Sequence, residues 1–241
     1  GLEYTTEYEL IRPVTLPHGR LLVEAENRGS PLLLNAVSPG TAASGPPSGA
    51  TYPASVSRFL RTERMSYARV QWQTGLSAGV PQTAQGVGEV IVRDFGRSLA
   101  HNYSRRSLIG VSQGAFFVDT FLDEGFNALP GGGRAYDQAL TVDGNGNWMA
   151  INQRAGTGAQ DPYLRPDGRP LAYARMLRRP RTDPLLVDVA NYTDFYRLRA
   201  GLTSAAPALP QGVRRYDWPS PHQSFAPEVV FGLLGCNGGT P

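Results

Sequence analysis

Arg106-Ser107-Leu108-Ile109-Gly110-Val111-Ser112-Gln113-Gly114-Ala115-Phe116-Phe117-Val118-Asp119-Thr120-Phe121-Leu122 is the most informative stretch of this 241-residue chain. Its opening, Arg106 to Gly110, is a short apolar run of strand type, and Ala115 to Leu122 carries apolar residues at helical spacing. Between them, Gly110-Val111-Ser112-Gln113-Gly114 fits the pattern G-x-S-x-G. That pattern describes a very tight turn between strand and helix, with the serine in a strained backbone conformation and its hydroxyl lifted above the sheet. Glycines two before and two after the serine are needed where a side chain would strike neighbouring backbone. The bare pattern arises by chance in about one such glycine-rich chain in five, so the strand before it and the helix after it give it its meaning. Without them it reads as a turn with a capping serine.

Working outward, the first apolar segment runs from Tyr8 to Val14, and a strand at Arg20–Ala25 ends in Glu26-Asn27-Arg28-Gly29. Residues 38–48 are dense in Gly, Pro, Ser and Ala and form a loop. The spacing predicts a helix from Ala54 to Met65, a strand from Tyr67 to Trp72 and a helix from Val90 to Tyr103. Beyond the central stretch come a strand at Tyr136–Val142, a buried parallel strand at Leu185–Ala190, a helix at Thr193–Leu202 and a last strand at Val213–Trp218. Residues 143–184, rich in Gly, Pro and Arg with little periodicity, read as an excursion from the core, a lid or insertion. Strands alternating with helices predict one α/β domain over residues 1–241, built on a mainly parallel sheet with its site at the carboxyl edge.

Composition narrows the function classes. Hydrophobic residues make up 41% and charged residues 18%, enough for a sizeable core and too little charge for a disordered chain. No apolar run is long enough to span a membrane. Cys236 stands alone, which excludes an internal disulfide, and His18, His101 and His222 lie too far apart for the common metal motifs. No metal or cofactor is expected. All 23 basic residues are arginines and the net charge is only +3. They are scattered, with one dense run at Arg175, Arg178, Arg179 and Arg181, which argues against a nucleic-acid binder. The chain opens at Gly1. That fits a processed or truncated product, and a secreted or periplasmic place is compatible with it.

A serine nucleophile needs a base, and the base needs an orienting carboxylate, in the chain order Ser, Asp or Glu, His for a turn of this kind. His222 is the only histidine after Ser112, and it follows the last strand. For the acid, Asp194 lies in Asn191-Tyr192-Thr193-Asp194 beyond the Leu185–Ala190 strand. Asp188, inside that strand, and Asp217, on the final strand, are its competitors. An oxyanion hole needs two backbone N–H donors. The Gln113 amide supplies one, and the loop at Asn27-Arg28-Gly29-Ser30, with Arg28 and Gly29 at its centre, is placed to supply the other.

These residues resemble the α/β-hydrolase superfamily, and more narrowly a bacterial family known as "alpha/beta hydrolase domain" proteins. The resemblance rests on Tyr8-Glu-Leu-Ile-Arg-Pro13, Glu26-Asn-Arg-Gly29, Val70-Gln-Trp-Gln73, Ile109-Gly-Val-Ser-Gln-Gly114, Glu124-Gly-Phe-Asn127, Ala135-Tyr-Asp137 and the Asn191–Asp194 region, in the family's order. It implies a serine hydrolase with Ser112, Asp194 and His222 as nucleophile, acid and base. Relatives often carry glutamate at the acid position and extend further at both ends, so the chain is expected to be shortened beyond His222. The expected substrate is a carboxylic ester, small or polymeric; the alternatives are an amidase, thioesterase or acyltransferase with the same triad, or a catalytically inactive relative acting as a binding module. Trp72, Trp148 and Trp218 are the aromatics expected to line its pocket, with Tyr163, Met176 and Leu177 of the excursion.

Overall fold

The structure, a computed structural model, describes residues 5–14, 19–26, 59–72, 87–144, 146, 148–149, 171–190 and 208–217. Seven strands form one sheet: β1 (Tyr8–Ile11), β2 (Arg20–Ala25), β3 (Ser66–Val70), β4 (Arg105–Val111), β5 (Gln138–Val142), β6 (Leu185–Ala190) and β7 (Val213–Asp217). Their order is β1-β3-β2-β4-β5-β6-β7. Only β1 is antiparallel, against β3. The other five pairings are parallel. The apolar runs Leu21-Leu22-Val23 and Leu185-Leu186-Val187 suit strands covered on both faces.

Helices α1 (Val87–Ser98), α2 (Gln113–Glu124) and α3 (Tyr173–Met176) lie between them, and residues 59–62 are helical within the span predicted from Ala54 to Met65. One face of the sheet offers Leu21, Val23, Ala25, Ala68, Val70, Leu108, Ala139 and Leu186 to Ile91, Val92 and Phe95 of α1 and to Phe117, Val118 and Phe121 of α2. Each Leu, Val, Ile or Phe among them contributes about 1.5–3 kcal/mol by leaving water. The opposite face presents Leu22, Leu140, Val187 and Val189 in an apolar groove rimmed by Arg20, Arg105 and Arg214.

Helix α2 is buried from Gly114 to Asp123, acids included. The sheet covers one side, and parts of the 143–184 excursion cover the rest. Asp119 accepts from the Gly146 amide at 3.1 Å, and Thr120 Oγ1 from the Met149 amide at 2.8 Å. Arg178 donates to the Asp123 carboxylate at 3.0 Å. Arg179 donates to the carbonyls of Leu122 and Asp123 at 3.0 and 2.8 Å, satisfying the last turn of the helix. Gly125, at φ +84, ends α2 in the left-handed region.

The described parts of the excursion, with Trp148, Leu171, Tyr173 and Met176 buried in the main core, lie along α2; residues 150–170, where most of the expected lid falls, lie outside the described residues. In the dense arginine run, Arg175, Arg178 and Arg179 bond the end of α2, with Arg175 and Arg178 still largely exposed. Helix α1 begins at Val87, three residues before the predicted start, because Gly88 serves close approach rather than a break. A Cβ there would lie 2.9 Å from the Trp72 carbonyl oxygen. The helix predicted over 193–202 lies outside the described residues.

Candidate active site

Strand β4 ends at Val111, and the Ser112 amide still donates to the Val142 carbonyl of the neighbouring strand at 2.8 Å. The chain then reverses within one residue. Ser112 has φ +54 and ψ −119, a left-handed conformation that L side chains rarely adopt. Its carbonyl at once accepts the amides of Ala115 and Phe116, at 2.9 and 3.1 Å, so α2 starts directly behind it. The two glycines have the steric reason the sequence pattern requires. A Cβ on Gly110 would lie 2.2 Å from the Gly114 carbonyl oxygen, and one on Gly114 would lie 2.6 Å from the Ala25 carbonyl oxygen. Gly110 lets the turn close on itself, and Gly114 lets it press against the end of β2. Ser112 remains partly exposed at the sheet's carboxyl edge.

Beside the turn, the end of β2 is held from three sides. Glu26 is fully buried, and its carboxylate bonds the Arg69 guanidinium. Burial raises the Glu26 pKa above its ordinary value, an effect that Arg69 opposes. The Trp72 indole N–H donates to the Glu26 backbone carbonyl at 2.8 Å. Trp72 itself is 3% exposed and stacks on Phe117 of α2, ring centroids 4.0 Å apart. Two of the three tryptophans expected at a pocket wall, Trp72 and Trp148, therefore sit in the core.

On the other side of Ser112, Asp188 on β6 is 1% exposed. It accepts from Thr141 Oγ1 on β5 at 2.8 Å and from the Tyr173 hydroxyl of α3. Arg215 on β7, the register partner of Asp188, donates to that same hydroxyl at 3.3 Å and grips Asp217 at 2.7 Å. Burial pushes the Asp188 pKa up, and the two hydrogen bonds and Arg215 pull against it. Asp188 thus joins β5, β6, β7 and α3, an anchoring role that its apolar strand context does not reveal. Asp143, the next residue after β5, is buried at φ +58 and donates its amide to the Val189 carbonyl at 3.0 Å. It stands in register beside Ser112, and sequence reading passed it over because it opens a glycine-rich stretch.

Ser112 and Gln113 are thus placed on the turn and at the first position of α2. Arg28, Gly29, Asp194, Trp218 and His222 lie outside the described residues. In sequence, β2 ends two residues before Asn27, β6 four before Asp194 and β7 five before His222. Among the described residues, no group of three or more His, Cys, Asp or Glu side chains is placed to hold a metal ion. Among them, too, no helix is long and apolar enough to cross a membrane.

No family model and no curated protein matches the chain, so the narrower resemblance stands on its motifs alone. Solved structures do match along nearly its whole length. A dienelactone hydrolase from Anabaena variabilis is 12% identical at a TM-score of 0.52, covering 95% of this chain and 88% of that one. An alpha-beta serine hydrolase homologue from Coxiella burnetii is 14% identical at 0.51, covering 95% and 89%. An S-formylglutathione hydrolase from Staphylococcus aureus is 10% identical at 0.51, covering 94% and 90%. Strand order, the strained serine between two obligatory glycines and this likeness agree: the chain has the fold of the α/β-hydrolase superfamily.

Proposed function

We propose that the chain is a serine hydrolase that cleaves carboxylic esters through an acyl-enzyme on Ser112. The observation that carries this is the backbone of Ser112, strained at φ +54 between two glycines that cannot bear a side chain. Such strain persists only where the surroundings enforce it, and it gathers at functional sites. The structural neighbours, described as serine hydrolases and as hydrolases of dienelactone and S-formylglutathione, support the reaction class.

Ser112 Oγ attacks the ester carbonyl while His222 takes its proton, and Asp194 holds the imidazole tautomer. The Gln113 amide and a donor from Arg28 or Gly29 stabilise the tetrahedral oxyanion. His222 then protonates the leaving alcohol, and water hydrolyses the acyl-enzyme by the same relay. Trp218, next after the end of β7, is the aromatic proposed to touch substrate. Trp72 and Trp148 support elements from within. The test is hydrolysis of short and long p-nitrophenyl esters by wild type, Ser112→Ala and His222→Ala. Activity lost in both folded variants is the expected result. Activity retained by Ser112→Ala overturns the assignment.

A further inference from the structure

We infer that Gly144 and Asp119 are positioning residues for the nucleophile and for the Gln113 amide, acting through Ala115; the inference rests on the serine-hydrolase reading. The strained backbone of Ser112 persists only where its surroundings enforce it. Gly110 and Gly114 close the turn on itself and against β2. The hold from the other side comes from the end of β5. The Ser112 amide donates to the Val142 carbonyl at 2.8 Å, and the same peptide unit donates, through the Asp143 amide, to the Val189 carbonyl at 3.0 Å. That unit is planar, so β6 fixes the acceptor that holds Ser112. Asp143, at φ +58, then turns the chain toward α2.

Gly144 lands on Ala115: a Cβ at position 144 would lie 2.7 Å from the Ala115 Cβ and 3.1 Å from Asp119 Oδ2. The Gly146 amide donates to that same Oδ2 at 3.1 Å. Asp119 is buried one helical turn past Ala115, so two successive turns of α2 carry the chain that leaves β5. Ala115 in turn donates its amide to the Ser112 carbonyl at 2.9 Å. The contacts close a ring, from Ser112 to Val142, along the chain to Gly144, across to Ala115 and back to Ser112. One hydrogen bond fixes the peptide plane before Ser112 and the other the plane after it, and these two planes set its φ and ψ. The second plane also carries the Gln113 N–H, the proposed oxyanion donor. The ring therefore aims the nucleophile and that donor together, which is the preorganisation that stabilising developing charge requires.

The experiment is Gly144→Ala, whose methyl group pushes Ala115 and with it the first turn of α2. A misplaced nucleophile and donor should lower kcat by about tenfold to a hundredfold on p-nitrophenyl acetate. KM should stay within about twofold, because the oxyanion forms only in the transition state. The rate of fluorophosphonate labelling of Ser112 should fall with kcat. Adding Ala115→Gly to the same chain removes the opposing methyl group and should bring kcat back to within about threefold of wild type. Glycine inside a helix lowers stability further, so this rescue runs against simple destabilisation. Ile91→Val, a core change on α1, should leave kcat unchanged. If Gly144→Ala does not fold, Asp119→Asn keeps the shape and weakens the acceptor for the Gly146 amide, and should lower kcat severalfold at constant KM. Wild-type kcat and labelling in the folded variant, or a loss that Ala115→Gly does not restore, overturn the inference while leaving the serine-hydrolase reading intact. A wild type that neither hydrolyses esters nor takes the fluorophosphonate overturns both.

Discussion

Glu89 gives the sharpest test of the packing. It lies in the first turn of α1, is fully buried, and among the described residues no other residue hydrogen-bonds its carboxylate oxygens. Burial raises its pKa from 4.5 to about 7, with the Glu124 charge adding a little. The sign follows from linkage. The folded protein holds this proton to higher pH than the unfolded chain does, so stability is full below about pH 4.5, falls as pH rises, and reaches its floor above pH 7. Each pKa unit is worth about 1.4 kcal/mol, so ionised Glu89 costs up to about 3 kcal/mol. Glu89→Gln keeps the shape and removes the charge. Thermal melts should superimpose below about pH 4. At pH 8 the variant should melt higher by about 6–12 °C, at 2–4 °C per kcal/mol for a chain of this size. A variant less stable than wild type at pH 8, or an offset equal at both pH values, would refute the reasoning.

Gly110→Ala places a methyl group 2.2 Å from the Gly114 carbonyl oxygen, so the nucleophile turn has to open. We expect a loss of about 3 kcal/mol by chemical denaturation and a fall in kcat/KM of at least about a hundredfold on p-nitrophenyl acetate. Wild-type kcat/KM in this variant would mean the turn does not position the nucleophile. Tyr173→Phe removes the hydroxyl shared by Asp188 and Arg215, leaving a buried carboxylate one donor short. The expected cost is about 1–3 kcal/mol in urea unfolding, and an unchanged midpoint would show the network to be incidental.

How much of this was legible in the sequence depends on the range of each interaction. The nucleophile turn was readable because its demands are local: a strand, two glycines at fixed offsets and a helix all lie within seventeen residues, Arg106 to Leu122. The parallel sheet followed from the apolar runs at Arg20–Ala25 and Leu185–Ala190, which occur as β2 and β6 with the predicted bounds. The partners of Trp72 were not readable. Its stack on Phe117 and its bond to Glu26 join positions 45 and 46 residues away, and an aromatic at a strand end reads equally well as a pocket wall. The 143–184 segment lacks periodicity because its described residues pack by single anchors, Trp148, Leu171, Tyr173 and Met176, and by arginines reaching the end of α2. Asp188 competes with Asp194 in the sequence from inside an apolar strand, and its partners, a cross-strand threonine and the Tyr173 hydroxyl, are not legible there.

The central claim is that Ser112 is the nucleophile. The most direct measurement is intact-protein mass spectrometry after treatment with a fluorophosphonate, followed by peptide mapping. The account predicts one adduct, located on Ser112, absent from Ser112→Ala and formed far more slowly in His222→Ala. No adduct on the folded wild type, or an adduct on another residue with ester hydrolysis intact in Ser112→Ala, would contradict it.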